Sequence, residues 1–279
     1  MPLHYQLWNK TGKPLAQIPK IVLLHGMGGT GSLWRPVASG LEDIAAVLAP
    51  DQRGHGKSLV ALDPDTKVGY APRDYAQDLT ETLDSLDFHP AWIVGHSMGV
   101  RTACAFAHLK PDWTSGLVLV DLGFSGVAGG GLGEELARFL QHLPMTFPSR
   151  DEARLYMQTQ CPDPSIGQYL MAVSVKTPEG DITFPFDRNA LIETINAARG
   201  VSLRDWIKET ADKGKPVLVL RGARSQVWSH EEFEKEKGFF SEWASVKFLE
   251  IENAGHGLPF EQRLIFVTLL KKLLTAKNL

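Results

Sequence analysis

The stretch that decides the fold runs from Trp92 to Gly99 and reads Trp-Ile-Val-Gly-His-Ser-Met-Gly. Its apolar start predicts a buried strand, and the residues after Met98 follow a helical pattern. Between them stands the pattern Gly-x-Ser-x-Gly, whose small residues allow a sharp turn from strand to helix. Such a turn exposes the serine hydroxyl, which becomes a useful nucleophile when it lies next to a base. Ser97 is therefore the candidate nucleophile, and a serine with a purely structural role is the competing interpretation.

A candidate base for this serine is His256, which lies between two glycines in the stretch 253–257. It follows a predicted strand and precedes the last predicted helix. A loop flanked by glycines can bring an imidazole close to the end of another strand. The neutral ring can accept the serine proton near pH 7 and later return it to a leaving group. A surface histidine without a catalytic role is the alternative interpretation.

Strands and helices alternate along most of the chain. Short apolar runs predict buried strands covered by helices on both faces, at 18–25, 45–51, 91–96, 117–122, 216–221 and 246–251. Helical patterns separate several of them, at 74–86, 98–109 and 262–274. This alternation predicts an α/β fold with a doubly wound, mostly parallel sheet. The segment Leu3 to Trp8 predicts an additional antiparallel edge strand.

The alternation is interrupted between Leu122 and Gly214, where no buried strand is predicted for roughly ninety residues. Helical patterns occur there instead, around 134–142, 151–160, 165–175 and 188–199. We predict that residues 124–200 form a helical cap over the C-terminal edge of the sheet. Residues 1–123 and 201–279 then form the core domain.

Four segments in this order and at fitting spacing resemble the α/β-hydrolase superfamily. They are His25 to Gly29, Asp51 to Ser58, Gly95 to Gly99 and Asn253 to Gly257. The resemblance covers the whole chain except the cap. It implies that Ser97 is the nucleophile and His256 the base, and that the backbone amides of Met27 and Met98 form the oxyanion hole. It also implies a structural role for the second segment.

The acid of the expected triad departs from the common pattern of that superfamily. Most members carry it after the strand that here spans 216–222, but no carboxylate occurs from 223 to 228. Gln226 stands where an aspartate is often found, and an amide cannot stabilise the imidazolium as a carboxylate does. Asp121 follows the preceding predicted strand, and some esterases of the superfamily place their acid there. We predict Asp121 as the triad acid; the alternative is that it only ties down the cap hinge through backbone N–H groups.

Several apolar residues stand near expected pocket or cap positions. We predict that they line an acyl-binding cleft, although plain core packing is the competing interpretation. These residues are Trp34, Phe124, Phe139, Met171 and Leu258.

The resemblance and the predicted triad together imply a serine hydrolase that cleaves carboxylic esters of small to medium acyl groups through an acyl-enzyme. No metal or organic cofactor is expected. A C–C bond hydrolase of the meta-cleavage type and a thioesterase are alternatives that share this fold. A lyase or a cofactor-free oxygenase on the same scaffold is a more distant one. A hydrolase-fold ligand receptor is the alternative that is not an enzyme.

Composition excludes several other classes of protein. The chain has 279 residues, of which 43% are hydrophobic and 22% charged, as in ordinary globular proteins. A net charge of −3 gives no electrostatic reason to bind nucleic acid or anionic membranes. The N-terminal residues lack a signal-peptide pattern, and no apolar run reaches the ~20 residues of a membrane helix. We therefore expect a cytoplasmic protein acting on a small-molecule ester, without nucleic-acid or membrane partners; the sequence predicts no oligomeric state.

Overall fold

The computed structural model describes residues 2–59, 69–125 and 132–275. Its strands are β1 (Tyr5–Trp8), β2 (Lys20–Leu24), β3 (Ala46–Pro50), β4 (Ala91–His96), β5 (Thr114–Val120), β6 (Thr146–Phe147), β7 (Val175–Lys176), β8 (Ile182–Thr183), β9 (Val217–Gly222) and β10 (Val246–Ile251). Its α-helices are α1 (Arg35–Ala38), α2 (Pro72–Ser85), α3 (Met98–Leu109), α4 (Leu132–His142), α5 (Arg150–Gln160), α6 (Pro164–Val173), α7 (Arg188–Ala197), α8 (Arg204–Asp212), α9 (His230–Phe239), α10 (Leu258–Glu261) and α11 (Arg263–Thr275). In the described ranges, no helix combines the length and the apolar character needed to cross a membrane.

The central sheet has seven strands in the order β1-β3-β2-β4-β5-β9-β10. β1 pairs with β3 in antiparallel orientation, and all other neighbours are parallel. This arrangement confirms the predicted doubly wound, mostly parallel sheet and its antiparallel edge strand. The register pairs His96 of β4 with Val120 of β5, and Val120 with Leu220 of β9. The carboxyl ends of these three strands therefore lie side by side.

Alternating residues of the central strands pack on opposite faces of the sheet. Val22 and Leu24 of β2 belong to the apolar core that includes α2, α3 and α8. Ile21 and Leu23 belong to the core on the other face, which includes α1 and α11. Because both faces are covered, the strands are apolar at nearly every position, as the sequence pattern indicated.

The segment between β5 and α8 contains four helices that the sequence predicted, α4 to α7, and a small antiparallel sheet that it did not predict. In that sheet β8 lies between β6 and β7, and each strand has only two residues. A periodicity of two cannot be recognised in so short a strand, which explains the omission. Side chains of these elements form a third apolar cluster, separate from the two cores of the sheet. A distinct cap comprising residues 124–200 stays a prediction.

Candidate active site

Ser97 occupies a sharp turn between β4 and α3, with backbone angles φ 53° and ψ −121°. This left-handed conformation is strained for a residue with a side chain and is typical of functional turns. A Cβ on Gly95 would lie 2.3 Å from the carbonyl oxygen of Gly99. A Cβ on Gly99 would lie 2.5 Å from the carbonyl oxygen of Leu24. Both glycines are therefore required by backbone crowding, as the motif predicts.

Asp121 and His256, predicted from distant parts of the chain, lie in direct contact. The Nδ1–H of His256 donates to Oδ2 of Asp121 over 2.8 Å. Both side chains are buried, and Asp121 is fully so. An ionised carboxylate can only accept, so the contact places the ring proton on Nδ1 and leaves Nε2 free as a base. Ser97 and His256 line the same cavity.

The hydroxyl of Ser97 makes no hydrogen bond to any other described residue. Catalytic hydrogen bonds are often long or poorly aligned before substrate binds. The shared cavity nevertheless places the serine and the histidine on one enclosed surface.

Two further donors hold the Asp121 carboxylate. The backbone N–H of Gly222 donates to Oδ1 over 3.0 Å, and the hydroxyl of Ser225 donates to Oδ2 over 2.5 Å. Oδ2 thus accepts from both Ser225 and His256. Gly222 belongs to β9 and Ser225 lies in the loop after it, so both donors come from the neighbouring strand and its loop. The buried carboxylate of Asp121 thus accepts from three donors, on Gly222, Ser225 and His256.

Ser225, and not Gln226, faces the acid. Ser225 is buried against Asp121, whereas Gln226 is exposed to solvent. The residue at the position where many superfamily members carry an aspartate, Gln226, therefore faces solvent. A loop without regular structure gives no periodicity from which side-chain direction could be inferred.

The two amides expected to form the oxyanion hole lie at this site. Met27 lines the cavity, and Met98 is the first residue of α3. Neither backbone N–H donates to an acceptor within the described residues. The N-terminus of α3 adds the partial positive charge of its helix dipole to the Met98 amide. Two unpaired donors beside a candidate nucleophile are what an oxyanion requires.

Comparison with known proteins adds an independent observation. The sequence profile of the family described as the alpha/beta hydrolase fold matches residues 19–262. The chain belongs to the α/β-hydrolase family. The match includes all four of the segments that carry the resemblance.

Individual relatives illustrate the range of this α/β-hydrolase family. The 2-(acetamidomethylene)succinate hydrolase of Mesorhizobium japonicum is 27% identical over 212 residues, which cover 76% of this chain and 73% of that protein. A Variovorax paradoxus protein, provisionally named a carbamate hydrolase, is 34% identical over 122 residues, or 43% of this chain. The match spans only 42% of that relative's own length. The structure of a marine microorganism esterase is 22% identical, with a TM-score of 0.76 over 98% of this chain and 99% of its own.

The cavity beside Ser97 is small and mostly apolar. Its volume is about 40 Å³. It is enclosed by the loops after β2 and β10, by the turn at Ser97 and by helices α4, α6 and α7. The lining residues are Gly26, Met27, His96, Ser97, Leu136, Leu140, Ile166, Tyr169, Leu170, Leu191 and His256.

None of the five apolar residues predicted to form the acyl cleft lines this cavity. Trp34 packs against Phe260 and Phe266 in one core of the sheet, where Leu258 also lies. Phe124 lies in the opposite core.

Phe139 and Met171 each lie next in sequence to a residue that lines the cavity. All four residues belong to the apolar cluster of α4 to α7, but only Leu140 and Leu170 also line the cavity. One residue along an α-helix turns the side chain by roughly 100°, which is enough to move it away from the cavity lining.

Three other buried histidines lie around the site: His25, His55 and His96. Burial lowers the pKa of His25 to about 4, and that of His55 and His96 to about 3. His96 donates through Nε2–H to the backbone oxygen of His256 over 2.7 Å, which holds the loop that carries His256. His55 accepts from the N–H of Gly28 over 3.0 Å. His96 was missed because it occupies a variable position of the serine motif.

From the lowered pKa values of these histidines we predict that the folded protein loses stability in mild acid. Their folded-state pKa values lie below the unfolded value of 6.5, so the unfolded chain binds more protons between pH 6.5 and about 4. The free energy of unfolding should therefore fall as pH falls through this range. The slope is at most about 1.4 kcal/mol per pH unit for each histidine.

Urea unfolding at pH 7, 5.5 and 4.5 measures this slope. His55→Gln should reduce it, and replacement of the exposed His142 by glutamine serves as the matched control. A wild-type stability that does not change between pH 6.5 and 4.5 would contradict the expectation.

No group of three or more His, Cys, Asp or Glu side chains within the described ranges is arranged to hold a metal ion.

Proposed function

We propose that this α/β-hydrolase cleaves carboxylic esters of small to medium acyl groups through an acyl-enzyme on Ser97. The observation that carries this proposal is the hydrogen bond between His256 and Asp121. His256 also lines the same cavity as Ser97. The esterase activity named for one structural relative is consistent with it. The apolar lining favours an uncharged acyl group.

The proposed reaction begins when Ser97 Oγ attacks the ester carbonyl carbon. His256 Nε2 takes the hydroxyl proton, and Asp121 stabilises the imidazolium that forms. The amides of Met27 and Met98 donate to the oxyanion of the tetrahedral intermediate. Collapse of the intermediate breaks the C–O bond, and His256 returns the proton to the leaving alcohol. Water, deprotonated by the same histidine, then attacks the acyl-enzyme and regenerates Ser97.

Labelling and turnover together test this function. A fluorophosphonate probe should attach to the peptide that contains Ser97, as located by mass spectrometry. Esters of 4-nitrophenol from acetate to octanoate should be hydrolysed, with the shorter chains preferred because the cavity is small.

Two results would overturn the proposal. One is the absence of label on Ser97, and the other is ester turnover no faster than that of heat-denatured protein. A thioester and a meta-cleavage dienoate belong in the same assay, since faster turnover of either would replace the ester as the substrate class.

A further inference from the structure

Helix α6 reaches from above the sheet to the loop that follows β2. The hydroxyl of Tyr169 accepts a hydrogen bond from the backbone N–H of Gly26 over 3.0 Å. The same hydroxyl donates to the carbonyl oxygen of Gly26 over 3.3 Å. One side chain of α6 thus makes both of its hydrogen bonds to the residue that precedes Met27.

The loop after β2 is shaped to receive this helix. A Cβ on Gly29 would lie 2.0 Å from the Tyr169 hydroxyl, and a Cβ on Gly28 would lie 2.4 Å from Cδ2 of Leu170. Any larger residue at these glycines would push the two α6 side chains away. The contact therefore depends on the Tyr169 hydroxyl of α6 and on the two glycines of the loop, Gly28 and Gly29.

The carbonyl of Gly26 and the N–H of Met27 belong to one planar peptide unit and point in opposite directions. Fixing the carbonyl therefore fixes the direction of the amide. The Gly26 oxygen accepts from His25 Nδ1 over 2.8 Å and from the N–H of Gly29 over 3.0 Å, in addition to Tyr169. Donors on a carbonyl also polarise its peptide, which strengthens the N–H as a donor.

We propose that Tyr169 is a positioning residue of the oxyanion hole, because its hydroxyl holds the Gly26–Met27 peptide in the orientation that donates to the oxyanion. This inference rests on the proposed function. Burial raises the pKa of Tyr169, so the hydroxyl keeps its proton and can donate. The packing of α6 against the loop after β2 then also completes the oxyanion hole.

Tyr169→Phe tests the inference by kinetics, because the ring stays to line the cavity and only the hydroxyl is lost. We expect kcat for a short 4-nitrophenyl ester to fall about 10-fold, less than the loss of an oxyanion donor itself would cause. KM should stay within about twofold, since the donor acts mainly on the transition state. Tyr156→Phe is the matched control: that hydroxyl donates to the backbone oxygen of His142 over 3.1 Å, away from the cavity lining.

Hydrogen exchange of the Gly26 amide provides a readout that needs no turnover. It should accelerate in Tyr169→Phe, which removes its acceptor, and stay unchanged in Tyr156→Phe. Unchanged exchange, an unchanged kcat, or a raised KM at constant kcat would each overturn the inference. If the wild type hydrolyses no ester, the proposed function fails, while the exchange rate still decides whether Tyr169 holds Gly26 in place.

Discussion

Asp121→Asn is expected to lower kcat for ester hydrolysis by on the order of 10³-fold or more. The replacement keeps the size of the side chain but removes the charge that stabilises the His256 imidazolium. It also lets an amide N–H₂ face Nδ1, which favours the tautomer that cannot take the proton of Ser97. Steady-state kinetics with 4-nitrophenyl butyrate measures the effect, and circular dichroism checks that the fold is retained. A kcat close to that of the wild type would exclude Asp121 as the acid.

A second substitution makes this expectation more specific. Ser225 and His256 contact the same oxygen of Asp121, so a carboxylate at position 225 can reach the imidazole. Ser225→Asp in the Asp121→Asn background should recover kcat by about 10-fold or more, since it restores an acid next to the base. Gln226→Asp in the same background is the matched control. Its side chain is exposed, and we expect no recovery from it.

Ser97→Ala is expected to lower kcat by on the order of 10⁶-fold, as removal of the nucleophile does in serine hydrolases. It should also abolish covalent labelling by a fluorophosphonate. The residual rate should equal the contribution of binding and of the oxyanion donors alone.

Ser39→Ala provides a control for the labelling, because Ser39 is an exposed serine whose hydroxyl donates to a backbone oxygen in the same turn. That variant should label and turn over as the wild type does. Labelling that persists in Ser97→Ala would place the nucleophile elsewhere.

Much of the fold could be predicted because buried parallel strands leave a strong apolar pattern. The bounds of β4, α3 and β10 agree with those expected from the sequence. β5 begins earlier than predicted, at Thr114, and ends before Asp121. Asp121 has a positive φ of 55°, and this backbone conformation ends β5. It also directs the Asp121 carboxylate toward β9.

The placement of the candidate site could be predicted only where chain order and motif constrain it. Ser97, His256 and Asp121 follow strands whose carboxyl ends meet at one edge, so their approach follows from topology. The substrate cavity does not follow in this way, because it depends on which face each helix of the 124–200 segment presents. Phe139 and Leu140 are adjacent and equally apolar, and only packing decides which one faces the cavity.

Contacts between remote segments were the hardest features to predict. Tyr169 and Gly26 are separated by 143 positions, and Ser225 and Asp121 by 104. Nothing in the local pattern around Tyr169 distinguishes it from other tyrosines of an amphipathic helix. The double glycine at 28 and 29 is the one signal that could have indicated a close approach by another segment.

The contact between Asp121 and His256 joins positions 135 residues apart in the chain. Asp121 follows a central strand, whereas His256 follows β10 at the sheet edge. Pairings of such long range close late during folding, because the intervening loop entropy must be offset first. Regain of esterase activity after dilution from denaturant should therefore lag behind the regain of helical signal. Enzymatic activity would then report the docking of the last strand, and not the earlier collapse of the chain.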